Sequence, residues 1–325
     1  MAGSTAIDLA LVARFRQALD RLNPDGEKIG LAVSGGPDSM AMLLLAHEAI
    51  PGGFEVATVD HGLRPEAKDE CALVVAACEE RGVPCEVLSV TVGEGNLQQE
   101  ARFARYRAIS DWCKVRKLAA IATAHHADDQ AETLIMRLNR GSGLSGLAGV
   151  RPRSLFSETA IIRPLLDWRR EDLGSICRLA GIAYVEDPSN QNLRFERVAV
   201  RKAIAKSDWL DPQAVAKSAE FLAEAEDFIE RELYHVWNLD VTFVEDGVEF
   251  MPAPSRFACC EIVSKILVQM GVNASRSDVA RMVDRLGAGQ NASLGGVLAK
   301  AVPRAGLGEQ GRYWIFRPEP PRRTG

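Results

Sequence analysis

The stretch that decides the fold of this chain is Lys28-Ile29-Gly30-Leu31-Ala32-Val33-Ser34-Gly35-Gly36-Pro37-Asp38-Ser39. Residues 28–33 form a short, mostly apolar run, which is typical of a buried strand. The two glycines that follow end this run, because glycine readily adopts the backbone angles of tight turns. A helical pattern then extends from Asp38 to about Ala49. The stretch therefore predicts a strand, a tight turn and a helix in direct succession.

The same alternation of strand and helix continues along the next hundred or so residues. Further strands are predicted at Phe54–Val59, Cys85–Val90 and Leu118–Ala124, and further helices at 66–81, 97–117 and Asp129–Asn139. This order favours a parallel sheet with right-handed crossovers, in which ligands bind beyond the carboxyl ends of the strands. Polar clusters follow the first, second and fourth predicted strands, so we expect them to meet at that edge.

The remainder of the chain divides into two parts. The glycine-rich residues 141–149 and Asp187-Pro188-Ser189-Asn190 predict loops, and helices are predicted from Arg169 to about Ala180 and around Arg194–Lys202. The pattern of predicted elements changes near Asp208–Pro212. After it, the predicted elements are a helix (213–233), a strand (242–250), two helices (255–286) and two strands (293–317). We therefore predict an α/β domain at 1–210 and a smaller α+β domain at 211–325, which begins with a linker helix.

Composition restricts the functional class. The 325 residues suggest two domains, and 47% hydrophobic with 26% charged residues is usual for a globular protein. The formal net charge is -5 and the isoelectric point about 5.7, which excludes nucleic-acid binding through bulk positive charge. Any contact with RNA must come from local clusters of arginine and lysine.

Cysteine usage and the N-terminus point to a cytoplasmic location. The seven cysteines are odd in number and none forms a C-x-x-C pair, so zinc or iron–sulfur ligation is poorly supported and reduced thiols are expected. The N-terminus lacks the layout of a signal peptide, and no uninterrupted apolar run reaches about 18 residues. We expect no membrane association.

The turn between the first strand and helix has the chemistry of a phosphate-binding loop. Two glycines allow close backbone approach, the helix N-terminus supplies N–H groups, and Ser34 and Ser39 can add hydroxyl donors. Asp38 fits beside phosphates if Mg²⁺ lies between them. Neither Walker A nor G-x-G-x-x-G is present. The alternative is an ordinary tight turn with Ser or Asp as the helix N-cap.

The hexapeptide Ser34–Ser39 resembles the pyrophosphatase loop of the N-type ATP pyrophosphatases, the PP-loop superfamily. Members of that superfamily cleave ATP to AMP and pyrophosphate and so activate a carbonyl oxygen. The resemblance implies an adenine-nucleotide α-hydrolase-like fold with a parallel sheet, with ATP and Mg²⁺ as cofactors. It implies an ATP site made of Ser34, Gly35, Gly36, Pro37, Asp38, Ser39, Asp60 and His61.

Three further groups of motifs narrow the resemblance. They are Val59-Asp60-His61-Gly62-Leu63-Arg64; His125-His126-Ala127-Asp128-Asp129-Gln130-Ala131-Glu132-Thr133 with Arg140-Gly141-Ser142-Gly143 and Gly146-Leu147-Ala148-Gly149; and Arg163-Pro164-Leu165-Leu166 with Glu186-Asp187-Pro188-Ser189-Asn190. In this order they look like the tRNA(Ile)-lysidine synthetases, densely over about 28–201 and more thinly beyond. The chain departs from the family pattern at two points. Many members have Arg-Asn where this chain has Arg197-Val198, and some members carry a further C-terminal module that we do not expect here.

The resemblance implies a catalytic domain at 1–210 and a tRNA-recognition domain at 211–325. Its implied reaction joins L-lysine to C2 of the wobble cytidine of tRNA(Ile) with a CAU anticodon, through an adenylated intermediate. Asp38, Asp128 and Glu132 are the predicted catalytic residues, and Asp38 and Asp128 the predicted Mg²⁺ ligands. Asp128 and Glu132 lie four residues apart, so their carboxylates face the same way on a helix. Whether they handle the metal, the lysine amine or both is left open.

Each of these assignments has an alternative. Asp129 with Glu132 three residues later resembles a capping box, and His125 and His126 are candidate zinc ligands, although H-E-x-x-H is missing. The predicted tRNA contacts could instead be solvated helix faces; they are Arg102, Arg105, Arg194, Arg197 and Arg201.

The rival functions are a PP-loop tRNA thiolase, which the missing C-x-x-C disfavours; a non-catalytic RNA-binding module; and a metal-dependent hydrolase built on His125, His126, Asp128 and Asp129. The oligomeric state is open, with a homodimer as one option.

Overall fold

A computed structural model of the chain describes residues 7–60, 62, 66–90, 97–185, 196–303 and 312–320. Up to residue 240 its elements are α1 (Leu9–Leu22), β1 (Ile29–Ala32), α2 (Pro37–Ala49), β2 (Phe54–Asp60), α3 (Glu66–Glu79), β3 (Cys85–Ser89), α4 (Leu97–Arg116), β4 (Ile121–Ala122), α5 (Ala127–Asn139), α6 (Leu144–Leu147), β5 (Arg153–Phe156), β6 (Thr159–Ile162), α7 (Arg170–Ala180), α8 (Glu196–Ala205) and α9 (Pro212–Asp240).

The first six strands form one sheet in the order β3-β2-β1-β4-β6-β5. The pairs β3–β2, β2–β1, β1–β4 and β4–β6 are parallel, and only β5 runs antiparallel, at the edge. The prediction of a mostly parallel α/β sheet is thus confirmed. Because β1 lies between β2 and β4, the segments that follow these three strands start side by side at one edge of the sheet.

Alternate residues of β1 face two different apolar layers. Ile29 and Leu31 belong to a buried cluster that includes residues of α1, α2, α3 and α7. On the other face, Gly30 lies against the ring of Trp112 in α4, and a β-carbon there would come within 2.4 Å of it. The glycine is therefore needed for α4 to pack closely on the sheet. Helices cover both faces of the central strand, which explains its continuous apolar sequence.

Several elements of this unit differ from the sequence-based prediction. The hairpin β5–β6 and helix α1 were not predicted, and residues 141–149, predicted as a flexible loop, contain the single helical turn α6. The turn of the hairpin is Ser157-Glu158, and Ser157 adopts a left-handed φ of 54°. This turn contains no glycine, asparagine, aspartate or proline, so the strongest sequence signals of a hairpin turn are missing.

The C-terminal elements are β7 (Val241–Val244), β8 (Gly247–Phe250), α10 (Arg256–Gln269), α11 (Arg276–Gly287), β9 (Ala292–Leu294), β10 (Val297–Pro303) and β11 (Arg312–Pro318). The strands form an antiparallel sheet in the order β7-β8-β11-β10-β9, with a buried core that includes Phe250, Ile262 and Phe316. A smaller α+β domain is confirmed. The strand predicted at 242–250 is a hairpin, and 293–317 holds three strands rather than two.

The chain forms two compact units, Met1–Glu224 and Ala225–Gly325. The division falls inside α9, later than the predicted boundary at 210, because the first half of α9 belongs to the N-terminal unit. Ala216, Ala219 and Ala223 are buried there. No helix within the described ranges is both long and apolar enough to span a bilayer.

Candidate active site

The loop between β1 and α2 has a fixed backbone. Gly35 has a left-handed φ of 81°, and a β-carbon on it would lie 3.3 Å from the carbonyl oxygen of Glu70. Its own carbonyl accepts a 2.9 Å hydrogen bond from Val185 N–H. The next residue, Gly36, is the N-cap of α2 and has no side chain to cap the first turn, which begins at Pro37. The N–H groups of that turn are therefore available to an anion.

The two serines of the loop hold each other in place. Ser39 is buried, and its Oγ donates to the Gly36 carbonyl at 3.0 Å. The same Oγ accepts from Ser34 N–H at 3.1 Å and lies 3.3 Å from Ser34 Oγ. The loop is thus shaped before any ligand binds, which limits the ordering cost of binding.

Asp38 points into the site with one oxygen unsatisfied. Its Oδ2 lies 3.5 Å from His126 Nε2 and 3.7 Å from Arg170 Nη2. Its Oδ1 is buried and has no hydrogen-bond partner in the described parts of the chain. A buried, unpaired carboxylate oxygen is costly, and a cation bound there would remove that cost.

His126 connects the carboxylates of the site. It is almost fully buried and is the N-cap of α5, where it forms a capping box with Asp129. The helix therefore starts at Ala127, two residues before the predicted Asp129, and the alternative of a capping box between Asp129 and Glu132 is wrong. Burial alone would lower the pKa of His126, but Asp129, Asp38 and Asp128 outweigh burial and raise it. The imidazole thereby offsets part of the acidic charge around it.

Asp128 binds the start of α7. Its Oδ2 accepts a 2.8 Å hydrogen bond from Arg170 N–H, and its Oδ1 lies 3.3 Å from Arg169 Nη2. Both arginines were placed in the predicted helix but were not predicted as site residues. The only signal for them was the Arg-Arg pair at a helix start, where positive side chains are not favoured by the helix dipole.

Glu132 lies on the same helix as Asp128 but has different partners. Its side chain is 1% exposed. One oxygen accepts from Arg197 Nε at 2.9 Å, and the other accepts from Arg201 Nε at 2.5 Å. Arg197 also donates to Thr133 Oγ1 at 2.8 Å. Two residues predicted to contact tRNA are thus held by one predicted to be catalytic.

The remaining predicted residues fall into three groups. Asp60 ends β2, and its Oδ1 accepts a 2.8 Å hydrogen bond from Gly62 N–H. Arg102 and Arg105 lie on α4 beside Tyr106, with guanidinium carbons 5.0 and 5.6 Å from its ring centre. His61 and Arg194 lie outside the described residues, as does the Glu186–Asn190 motif.

His125, the neighbour of the site histidine, is half-buried and has a lowered pKa. Burial, with nearby Arg163 and Arg102, lowers its pKa to about 4. No set of three His, Cys, Asp or Glu side chains in the described ranges is arranged to hold a metal ion. Mg²⁺ commonly takes only one or two protein carboxylates and completes its shell with water and phosphate oxygens, so Asp38 with its free oxygen is sufficient on the protein side.

Comparison with known proteins identifies the family. Residues 9–208 match the family model described as a PP-loop domain. The chain is 42% identical over 319 residues to a tRNA(Ile)-lysidine synthase of Novosphingobium aromaticivorans, covering 96% of this chain and 95% of the relative. It is 36% identical to the enzyme of that name from Zymomonas mobilis subsp. mobilis, covering 95% and 94%.

A solved structure supports the fold. The U34-tRNA thiolase NcsA of Methanococcus maripaludis superposes with a TM-score of 0.55 at 19% identity, over 67% of this chain and 81% of that one. At this identity the likeness concerns the fold alone. Three observations point to one family: the glycine-rich loop at β1, the His-His-Ala-Asp-Asp segment at α5, and the near full-length similarity to the synthases. The chain therefore belongs to the tRNA(Ile)-lysidine synthase family of PP-loop enzymes.

Proposed function

We propose that this chain uses ATP to join L-lysine to C2 of the wobble cytidine in the CAU anticodon of tRNA(Ile), with release of AMP and pyrophosphate. The observation that carries the proposal is Asp38, which presents an unpartnered carboxylate oxygen beside an uncapped helix N-terminus. This arrangement suits a triphosphate with its cation. It has no evident purpose in an ordinary turn, where Asp would cap the helix.

The first step is attack by the O2 oxygen of cytidine on the α-phosphorus of ATP. A bond forms between that oxygen and phosphorus, the bond to the β-phosphate oxygen breaks, and pyrophosphate leaves. The N–H groups of the α2 first turn and the Arg170 guanidinium, which lies 3.7 Å from Asp38, stabilise the charge on the phosphates. The adenylated oxygen is then a good leaving group, whereas the original carbonyl oxygen is not.

Mg²⁺ would be held by Asp38 on the protein side, with Asp128 close to the same histidine. When bound, the ion would screen phosphate charge and favour departure of pyrophosphate. The carboxylates raise the pKa of His126, and the charge of this imidazole compensates part of the charge of Asp38 and Asp128.

The second step is attack of the lysine side-chain amine at C2. The amine nitrogen adds to C2 and loses a proton. The C2–O bond then breaks, and AMP leaves with the former O2 atom. Because the ordinary pKa of lysine is about 10.4, a carboxylate must accept that proton at neutral pH. Asp128 has that role in our proposal. Both carboxylates accept hydrogen bonds from arginines, but Asp128 is 20% exposed, whereas Glu132 is only 1% exposed and cannot reach the amine.

Glu132 has a positioning role in this proposal. It fixes Arg197 and Arg201 on α8, which follows the Glu186–Asn190 motif, so that their remaining donors can meet tRNA phosphates. Arg197 keeps 42% of its side-chain surface exposed and can still reach a ligand. We place the reaction in the cytoplasm, where tRNA is available, and leave a homodimer as an option that the chemistry does not require.

The test is incubation of the protein with ATP, labelled lysine and tRNA(Ile) transcript. Label should enter the RNA at the wobble cytidine, with AMP and pyrophosphate formed in equal amounts. Asp38→Ala should remove both signals. Asp167→Asn, which changes an exposed carboxylate paired with Arg14, is the matched control and should keep them. RNA binding without label incorporation by the unaltered protein would instead favour a non-catalytic RNA-binding module.

A further inference from the structure

An aromatic cluster with arginines beside it lies on the surface of the N-terminal unit, outside the catalytic residues. Phe103 of α4 and Phe156 at the end of β5 meet edge to face, with ring centres 5.7 Å apart. Tyr106, also of α4, has its ring centre 5.4 Å from that of Phe156. Tyr106 is buried, but Phe103 is 55% exposed. The cluster therefore has a packed base and one open aromatic face.

In the described part of the chain, the arginines of this cluster contact an aromatic ring rather than a carboxylate. Arg102 and Arg105 both lie over the Tyr106 ring, and neither has a carboxylate within ion-pair distance among the residues that the structure describes. Other arginines of this unit do have acidic partners, as Arg116 has Glu55 and Arg169 has Asp128. Burial, the largest cause, and the charge of Arg102 lower the pKa of Arg105, against an opposing effect of Tyr106.

The cluster is within electrostatic reach of the catalytic edge. Arg102 lowers the pKa of His125, the residue that precedes the site histidine, and contributes to the lowered pKa of Arg163 at the end of β6, where burial is the largest cause. Tyr106 also hydrogen-bonds Arg163, which directly follows β6 at the edge of the sheet where the proposed catalytic residues lie, so Tyr106 links the cluster to that edge.

Exposed aromatic rings beside unpaired arginines are the features that bind unstacked bases. Bases of single-stranded loops stack on aromatic side chains, while arginines contact the adjoining phosphates. A base that enters an active site leaves its own stack, and so do its neighbours. We propose that Phe103, supported by Phe156, is a stacking platform for a base next to the modified cytidine, with Arg102 and Arg105 on the flanking phosphates. This inference rests on the proposed function for the identity of the RNA.

The platform can be tested without catalysis. The probe is an anticodon stem-loop RNA of tRNA(Ile) with 2-aminopurine at one position beside the wobble cytidine, added to the full-length protein. Stacking on an aromatic ring should quench its fluorescence. Phe103→Leu keeps apolar volume but removes the ring, so we expect the quenching to disappear and the RNA affinity to fall about tenfold. Phe103→Trp should restore both, since any aromatic face can stack.

The matched control is Phe221→Leu, because Phe221 is 57% exposed but lies on α9, away from the cluster. It should leave quenching and affinity unchanged. Affinity for ATP should be the same in all variants, and thermal melting should verify that each is folded. Unchanged RNA affinity and quenching in Phe103→Leu would overturn the platform, and so would a loss that Phe103→Trp does not restore. If the unaltered protein binds and quenches this RNA but forms no lysidine, the proposed function fails while the platform stands.

Discussion

Arg197 donates from its Nε to the buried carboxylate of Glu132 at 2.9 Å, across 65 residues of sequence. The same carboxylate accepts from Arg201, one helical turn further along α8. Glu132 thus joins α5, whose first turn carries the proposed catalytic residue Asp128, to α8, which carries Arg197 and Arg201, the predicted tRNA contacts. A carboxylate with this burial and these partners is held in one orientation, and so are the arginines.

We predict that Glu132→Gln weakens the attachment of α8 to α5 and does not remove a group that takes part in the reaction. The arginines lose a charged acceptor, so the free energy of unfolding should fall by about 1–3 kcal/mol. RNA affinity should fall more than ATP affinity. Denaturant titration and binding assays measure both. Glu220→Gln, an exposed partner of Lys217, is the control and should change stability by less than about 0.5 kcal/mol. Unchanged stability with lost lysidine formation would assign Glu132 a chemical role.

Asp38→Ala should abolish tRNA-dependent release of pyrophosphate while the protein stays folded. The substitution removes a buried oxygen that has no partner in the described residues, together with the long contacts of Oδ2 to His126 and Arg170, so stability should change little. Activity should fall by about 100-fold or more, as for other groups that stabilise developing charge. Pyrophosphate release and thermal melting are the measurements. Wild-type turnover in this variant would remove Asp38 from the mechanism.

Gly35 and Gly36 should respond differently to alanine. Gly35→Ala places a β-carbon on a left-handed residue 3.3 Å from a backbone oxygen, which should destabilise the protein by about 1–2 kcal/mol and weaken ATP binding. Gly36 has a φ of -74° and a nearest contact of 3.8 Å, so its alanine variant should fold with nearly normal stability. Denaturant titration compares the two. Equal stabilities would show that the loop tolerates another backbone conformation.

Arg102→Gln should weaken RNA binding by an amount that shrinks at high salt. An arginine that contacts a phosphate releases about one counterion, so the slope of log affinity against log salt should become less steep by roughly 0.7–0.9. Arg16→Gln is a suitable control, since Arg16 is paired with Asp20 on α1. Binding isotherms between low and moderate salt give the slopes. Parallel slopes for Arg102→Gln and the unaltered protein would place Arg102 outside the RNA contact.

Glu55 should make stability depend on pH in the acidic range. Hydrogen bonding from Arg116 and, more weakly, Lys28 lowers its pKa, against the opposing effect of burial. A carboxylate with a lowered folded-state pKa stabilises the protein above its ordinary value of about 4.3 and loses that contribution as pH falls through the folded pKa. Glu55→Gln should be less stable than the unaltered protein at pH 7, by about 1 kcal/mol, and the difference should narrow below pH 4. Melting curves at several pH values test this.

The predicted parts of the fold are those with local signals. The segment from β1 to α2 was predicted almost to the residue, because an apolar run, two glycines and a helical pattern follow one another directly. Family membership followed from motif order, and the comparisons confirm it. The hairpin β5–β6 was missed, since its turn at Ser157 adopts a left-handed conformation without a residue that favours it.

The sequence by itself determined the glycine loop, the acidic residues near it and the family, because each depends on neighbours along the chain. Only the tertiary structure decided which partner each charged group has. Asp128 faces α7 and Glu132 faces α8, although both lie on one helix within four residues. The reason is physical: a buried carboxylate needs donors, and packing brings those donors from segments that are distant in sequence.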